Sequence, residues 1–139
     1  MAYWLFKSEP DVWSFQDQMT RGAPGEEWHG IRNYAARNNM RAMTVGERGF
    51  FYHSNIGKEI VGVVEVMRTS EPDSTTDDPR WDCVMIRAVE PFQRPVTLEM
   101  CKHTPGLEKM ILINNSRLSV QPVSPAEWQI VCALGGVNS

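Results

Sequence analysis

A mixed α+β domain, built as a small and largely antiparallel sheet or barrel flanked by helices, is the fold class that this sequence of 139 residues predicts. Three observations lead there. Short apolar segments of strand type alternate with capped helical segments. Two of the strand segments are separated by a turn and read as a β-hairpin, which forces antiparallel pairing. No GxGxxG or GxxxxGK[ST] follows any strand, as a doubly wound nucleotide-binding sheet would need. At roughly 150 residues per domain, residues 1–139 make one domain.

Tyr3-Trp4-Leu5-Phe6 is a short apolar, aromatic run that stops before Pro10 and reads as a buried strand. Asp11 is placed to cap a helix from Val12 to about Arg21, with Val12, Phe15 and Met19 on one side, Gly22 to end it and Pro24-Gly25 to turn the chain. Asn33 is a second cap. It opens a helix to about Met43 on which Ala36, Met40 and Met43 share a face, while Asn33, Arg37 and Arg41 form an adjacent polar stripe. From Gly46 the period changes: Phe50-Phe51-Tyr52-His53 is extended, Asn55-Ile56-Gly57-Lys58 supplies a turn, and Glu59 to Met67 is rich in Val and Ile. These pieces are the hairpin. A polar loop from Glu71 to Arg80 precedes another strand from Trp81 to Val89.

Short helical pieces are expected around Thr97 to His103 and Leu107 to Ile113, followed by a strand from Arg117 to Gln121 closed by Pro122. Ser124, with Glu127 three residues on, forms a capping box for a last helix through Trp128 to Leu134. Trp4, Trp13 and Trp128 occupy apolar-periodic positions and are assigned to the core, whereas Trp81 fits core or surface equally well.

The formal charge is −3, from 14 Lys+Arg against 17 Asp+Glu, which argues against gripping nucleic acid by bulk charge. Any such role must be local. The longest apolar run, Ile60 to Val66, is far short of the roughly 20 residues that span a bilayer, and Tyr3 to Phe6 lead straight into Lys7, Ser8, Glu9 and Pro10 with no signal-peptide pattern. A soluble cytoplasmic protein with no membrane association is therefore expected. Cys83, Cys101 and Cys132 are odd in number and far apart, and His29, His53 and His103 have no ligand spacing, so neither a disulfide framework nor a metal site is expected.

Three polar clusters stand beside the strands. Lys7-Ser8-Glu9 ends the first, where a charge, a hydroxyl and a carboxylate can face one small planar ligand or simply meet solvent. Trp28 to Met43 holds His29, Arg32, Arg37 and Arg41 with no acid at all. Its guanidinium groups and the free N–H groups of a helix N-terminus suit phosphate oxygens, unless acids from the Asp-rich loop balance them. Tyr52-His53-Ser54 ends the hairpin strand; neighbours in a strand face opposite ways, so His53 is badly placed to activate Ser54, and a hydrogen-bonded histidine is the simpler reading. Trp28 is either a core ring or one wall of a slot for a flat base.

Five ordered blocks go further: Trp4-Leu5-Phe6-Lys7-Ser8-Glu9-Pro10, Trp28-His29-Gly30-Ile31-Arg32-Asn33-Tyr34, Ala36-Arg37-Asn38, Gly49-Phe50-Phe51-Tyr52-His53-Ser54-Asn55 and Ser116-Arg117-Leu118-Ser119-Val120-Gln121-Pro122. Together, and over essentially the whole chain, they resemble the EVE domain, a family of the PUA-like superfamily. The resemblance implies a small PUA-like β-barrel flanked by helices, related to YTH and ASCH domains, with a pocket for a modified nucleobase. Carried over by motif, Lys7, Ser8 and Glu9 border that pocket, Trp28 supplies an aromatic wall, Gly30 is a further ligand-binding position, and Arg32 and Asn33 meet the base or backbone. Tyr52, His53 and Ser54 adjoin it, and Ser119 and Gln121 close it. Arg37 and Arg41 become phosphate contacts. Ile31 and His29 depart from the family's usual Val and acid, and no basic tail precedes the first block, which favours the stand-alone bacterial type.

The function so implied is a non-enzymatic, monomeric reader of a modified base in DNA or RNA, without cofactor or metal. It would hold the base flipped out of its stack, repaid by stacking and by hydrogen bonds to the base edge. Two alternatives remain: an enzyme acting on modified nucleotides through Glu9 or His53, and a small-metabolite or protein-interaction module on the same scaffold.

Overall fold

The computed structural model describes residues Met1–Ser139. In chain order it contains β1 (Tyr3–Ser8), α1 (Phe15–Arg21), β2 (Glu26–Glu27), α2 (Tyr34–Arg41), β3 (Arg48–His53), β4 (Glu59–Pro72), β5 (Asp82–Thr97), α3 (Leu98–His103), α4 (Ile111–Asn114), β6 (Val120–Val123) and α5 (Pro125–Gly135). The six strands form one sheet in the order β2-β5-β4-β3-β1-β6. Every pair is antiparallel except β1 with β3, where Tyr3 lies opposite Arg48 and Ser8 opposite His53. The fold is thus mixed α+β, as expected. No ladder joins β2 to β6, so the hydrogen-bonded sheet is open where the family resemblance implied a barrel.

Alternation along the strands divides the core in two. Trp4 and Phe6 of β1 and Phe51 of β3 point to one face, where they pack with Phe15, Trp28, Ala36, Met40 and Val64 beneath α1 and α2. Leu5, Phe50 and Tyr52 point to the other and meet Cys101, Leu112, Trp128 and Val131 from α3, α4 and α5. Both faces of β1 are covered, which is why its sequence reads as an unbroken apolar run.

Several elements match expectation. Asn33 Oδ1 accepts from the Ala36 N–H at 2.9 Å and caps α2, and Ser124 with Glu127 makes the capping box of α5, which ends at the left-handed Gly136 (φ 74°). The β3–β4 hairpin turns through residues 54–58, where Asn55 and Lys58 both have positive φ.

Several boundaries differ: β4 runs on past Met67 to Pro72, α4 spans only Ile111–Asn114 where a helix from Leu107 was expected, and three further shifts have a clear local cause. α1 starts at Phe15, because Ser14 and Asp17 cap it reciprocally: Ser14 Oγ accepts from the Asp17 N–H (3.0 Å) and Asp17 Oδ2 from the Ser14 N–H (2.9 Å). Asp11 and Val12 fall in a turn in which the N–H groups of Val12 and Trp13 both donate to the Glu9 carbonyl. β5 continues past Val89 to Thr97, tolerating Pro91 and Pro95 because its pairing with β4 is repeatedly bulged. β6 begins only at Val120 and includes Pro122, opposite Trp4, since an edge strand needs no donor on its outer side. No helix is long and apolar enough to cross a membrane.

Candidate functional site

A cavity of about 380 Å³ opens where the ends of β1 and β2 meet the turn before α1. That volume is in the range of small-ligand sites. Lys7, Ser8 and Glu9 line it from β1, Val12 and Trp13 from the turn, Glu26 and Glu27 from β2, and Trp28, His29 and Ile31 from the segment that leads to α2.

Each wall is fixed by a named contact. Trp28 is tied through its N–H to the Val84 carbonyl (2.8 Å), and its ring meets Phe6 and Phe51 edge to face at 5.4 and 5.6 Å. Trp28 is therefore at once a core residue, 8% exposed, and a cavity wall. Trp13 donates from Nε1 to Gln18 Oε1 (2.9 Å), and the fully buried Gln18 donates in turn to the Ile86 carbonyl (3.1 Å). The Trp13 backbone carbonyl accepts from Ser8 Oγ at 2.6 Å. The expectation that Trp13 sits in the core is corrected here: the later helix start leaves it half-buried in the turn, facing the cavity.

The charged lining is mostly acidic. Glu9 accepts from Asn55 Nδ2 (3.0 Å), Glu26 lies 3.7 Å from Arg21, and Glu27 accepts from Ser74 Oγ (2.6 Å) beside Arg68 (3.5 Å). The Ser74 hydroxyl, outweighing desolvation and helped by Cys83 and Arg68, holds the Glu27 carboxyl below its usual range. Lys7 lines the cavity, but its ammonium turns towards Tyr52 on the other face of the sheet: Nζ stands 5.9 Å from the centroid of that ring and donates to the Ser116 carbonyl, and burial lowers its pKa. A ligand edge therefore meets several acceptors and few donors.

Of the residues expected at the site, Lys7, Ser8, Glu9 and Trp28 line the cavity together, and the others are not among its lining residues. Gly30, with φ 82°, donates its N–H to Asp73 Oδ2 (2.8 Å). Arg32 reaches the same oxygen at 3.1 Å, and Asn33 serves as the α2 cap. His53 Nε2 accepts from the Phe15 N–H (3.0 Å), and Ser54 donates its N–H to the Ser8 carbonyl (2.8 Å). Tyr52 is buried on the opposite face of the sheet, its hydroxyl pKa pushed up to about 12 by desolvation and by nearby Cys101. Ser119 extends the β1–β6 ladder by accepting from the Lys7 N–H, and Gln121 is fully buried, donating to the Leu118 carbonyl. No three His, Cys, Asp or Glu side chains gather as metal ligands would.

Acids from the Asp-rich loop and the start of β5 accompany the acid-free segment after all. Arg32 pairs with Asp73 and Arg41 with Asp82, while Arg37 donates to Asn38 Oδ1 and to the Arg80 carbonyl. Asp73 is the hub: burial favours its neutral form, but Thr75, Gly30 and Arg32 all donate to it and hold its carboxyl far below the usual range. Asp73 meets Gly30 and Arg32 across some forty residues, and Gln18 ties nearby Trp13 to the distant Ile86, contacts that the sequence does not announce.

Comparison with known proteins gives a consistent family. The model of the EVE domain matches residues 2–134. Mouse thymocyte nuclear protein 1 is 34% identical over 95% of this chain and 73% of its own length. A protein of Agrobacterium tumefaciens has a solved structure that covers 99% of this chain and 94% of its own, with 56% identity and a TM-score of 0.97. The human THYN1 protein, solved in complex with DNA containing 5-methylcytosine, is 31% identical over 100% of both chains, with a TM-score of 0.90. A yeast YTH domain, from Zygosaccharomyces rouxii, shares the fold at 13% identity and a TM-score of 0.59, over 99% of this chain and 86% of its own.

Proposed function

The chain belongs to the EVE domain family, and on that premise we propose that it is a binding module which holds one modified base of a nucleic acid in the cavity between Trp13 and Trp28. The observation that carries this reading is the cavity's lining, two indoles above a rim of carboxylates. A full-length match solved on DNA containing 5-methylcytosine supports it.

A base has a π-face and a polar edge. An indole takes the face for about 1–3 kcal/mol per base, which can offset the few kcal/mol spent in extruding it from a stack. Glu9, Glu26 and Glu27 offer acceptors to an exocyclic amino group, and the Ser8 hydroxyl, its proton given to the Trp13 carbonyl, offers a further acceptor. Val12 and Ile31 supply the apolar surface against which an added methyl group would rest. Such a module works as a monomer, turns nothing over and needs no cofactor.

Binding is favoured over catalysis by the state of one candidate base: His53 Nε2 is occupied by the Phe15 N–H and is not free to take a substrate proton. The test is a titration of labelled DNA and RNA strands carrying 5-methylcytosine, 5-hydroxymethylcytosine or N6-methyladenine against their unmodified twins. Tighter binding to at least one modified strand is expected; equal affinity throughout would sink the reading.

A further inference from the structure

One residue beyond the cavity, the surface changes character. Ile31 lines the cavity; Arg32 lies over the Trp81 ring, 5.7 Å from its centroid. Tyr34, half exposed at 50%, stacks on Trp81 at 5.1 Å with 30° between planes, and the Arg37 guanidinium covers Tyr34 at 4.8 Å. Arg80 flanks the column, 5.7 Å from the Trp81 centroid and donating to the Tyr34 hydroxyl (3.3 Å).

The acids that pair with these arginines lie beneath them. The side chains of Asp73, Asp82 and Asp78 are 0%, 14% and 29% exposed, whereas those of their partners Arg32, Arg41 and Arg80 are 41%, 44% and 59% exposed. The carboxylates orient the guanidinium groups and leave their outer edges to solvent. Arg37 has no carboxylate partner, and α2 has no acid in its first turn. Asp77 is an exposed acid on the same loop, so the surface attracts anions through local geometry rather than a large net charge.

We infer that the Trp81–Tyr34–Arg37 column is a second nucleic-acid subsite, which takes the nucleotide flanking the one in the cavity. Its base extends the stack on the outer face of Arg37, and its phosphate meets the free edges of Arg37 and Arg80. The inference rests on the base-binding reading of the cavity and adds to it a contact that does not sense the modification. A single or locally unpaired strand is the partner, because a neighbour held in a duplex stack has no free face.

The test uses the whole protein and a short labelled single strand, with one 5-methylcytosine or with cytosine in its place. Arg37→Gln and Tyr34→Ala alter exposed or half-exposed side chains, and a circular-dichroism melt checks that both variants fold. Tyr34→Ala is expected to weaken binding of both strands by the same factor, about fivefold or more. Arg37→Gln is expected to weaken both equally and to reduce the slope of log K against log salt by about 0.7. Folded variants that bind like the wild type would overturn the inference, as would a loss confined to the methylated strand. Displacement by an acidic peptide as readily as by unlabelled strand would also overturn it. If the wild type binds both strands equally while Arg37→Gln weakens both, the cavity does not read 5-methylcytosine and the second subsite stands. If the wild type binds neither strand, both fail.

Discussion

The backbone N–H of Phe15 donates to Nε2 of His53 at 3.0 Å, so one imidazole joins the first turn of α1 to the end of β3. Accepting at Nε2 requires the neutral ring with its proton on Nδ1. Burial lowers the His53 pKa, against a smaller raising effect from Glu59. A lowered histidine pKa means the unfolded chain binds the proton first. This contribution is therefore fully present above the unfolded value near 6.5 and is lost as pH falls below it towards the folded value. Urea unfolding between about pH 7.5 and pH 5 should show stability falling with acid, and His53→Gln should flatten that slope.

Trp13 and Trp28 should separate binding from folding. Trp28 is packed on Phe6 and Phe51, so Trp28→Ala should cost about 3–5 kcal/mol of stability and confound any binding measurement. Trp13 is half-buried, and Trp13→Ala should leave a folded protein that has lost most of its affinity for modified strands. Melting temperatures and fluorescence titrations of the two variants check this.

Asp73→Asn should destabilise the protein by about 2–3 kcal/mol, because an amide cannot replace a buried carboxylate that accepts from Gly30, Arg32 and Thr75. With its carboxyl held low, Asp73 contributes stability that is present above the unfolded pKa near 3.9 and lost only as pH falls towards the folded value. Acid unfolding curves of wild type and variant should differ most at neutral pH and converge in strong acid.

Gly25→Ala should be among the most damaging single-methyl changes. Its φ is 72°, and a Cβ there would stand 2.7 Å from the Ile86 carbonyl oxygen and 2.1 Å from Met67 Sδ. Backbone strain and overpacking together should cost about 2 kcal/mol or more and shift β2, with Glu26 and Glu27 on it. Thermal melts and binding of modified strands should both be impaired.

Local signals were legible in the chain. The caps Asn33 and Ser124, the hairpin around Asn55 to Lys58 and the buried first strand all follow from residues within a few positions of one another. The start of α1 was legible too, in Ser14 and Asp17, but Asp11 offered a competing cap and moved Trp13 to the wrong environment. What could not be read is long-range. Nothing near Arg32 announces that Asp73 lies beneath it, and nothing near Gln18 announces that the Ile86 carbonyl anchors the amide that holds Trp13. Tyr52 and His53 show the limit of motif transfer: adjacent in a matched block, they lie on opposite faces of the sheet.

β1 feeds alternate side chains to two cores, and the cavity belongs to only one of them. A saturation map of the protein should consequently split along the plane of the sheet. Changes behind it, among α3, α4 and α5, trade stability alone and tolerate repacking. Changes in front, around Trp28 and Phe51, trade stability and affinity together, which makes the rear layer the place to bank compensating mutations before the binding face is redesigned.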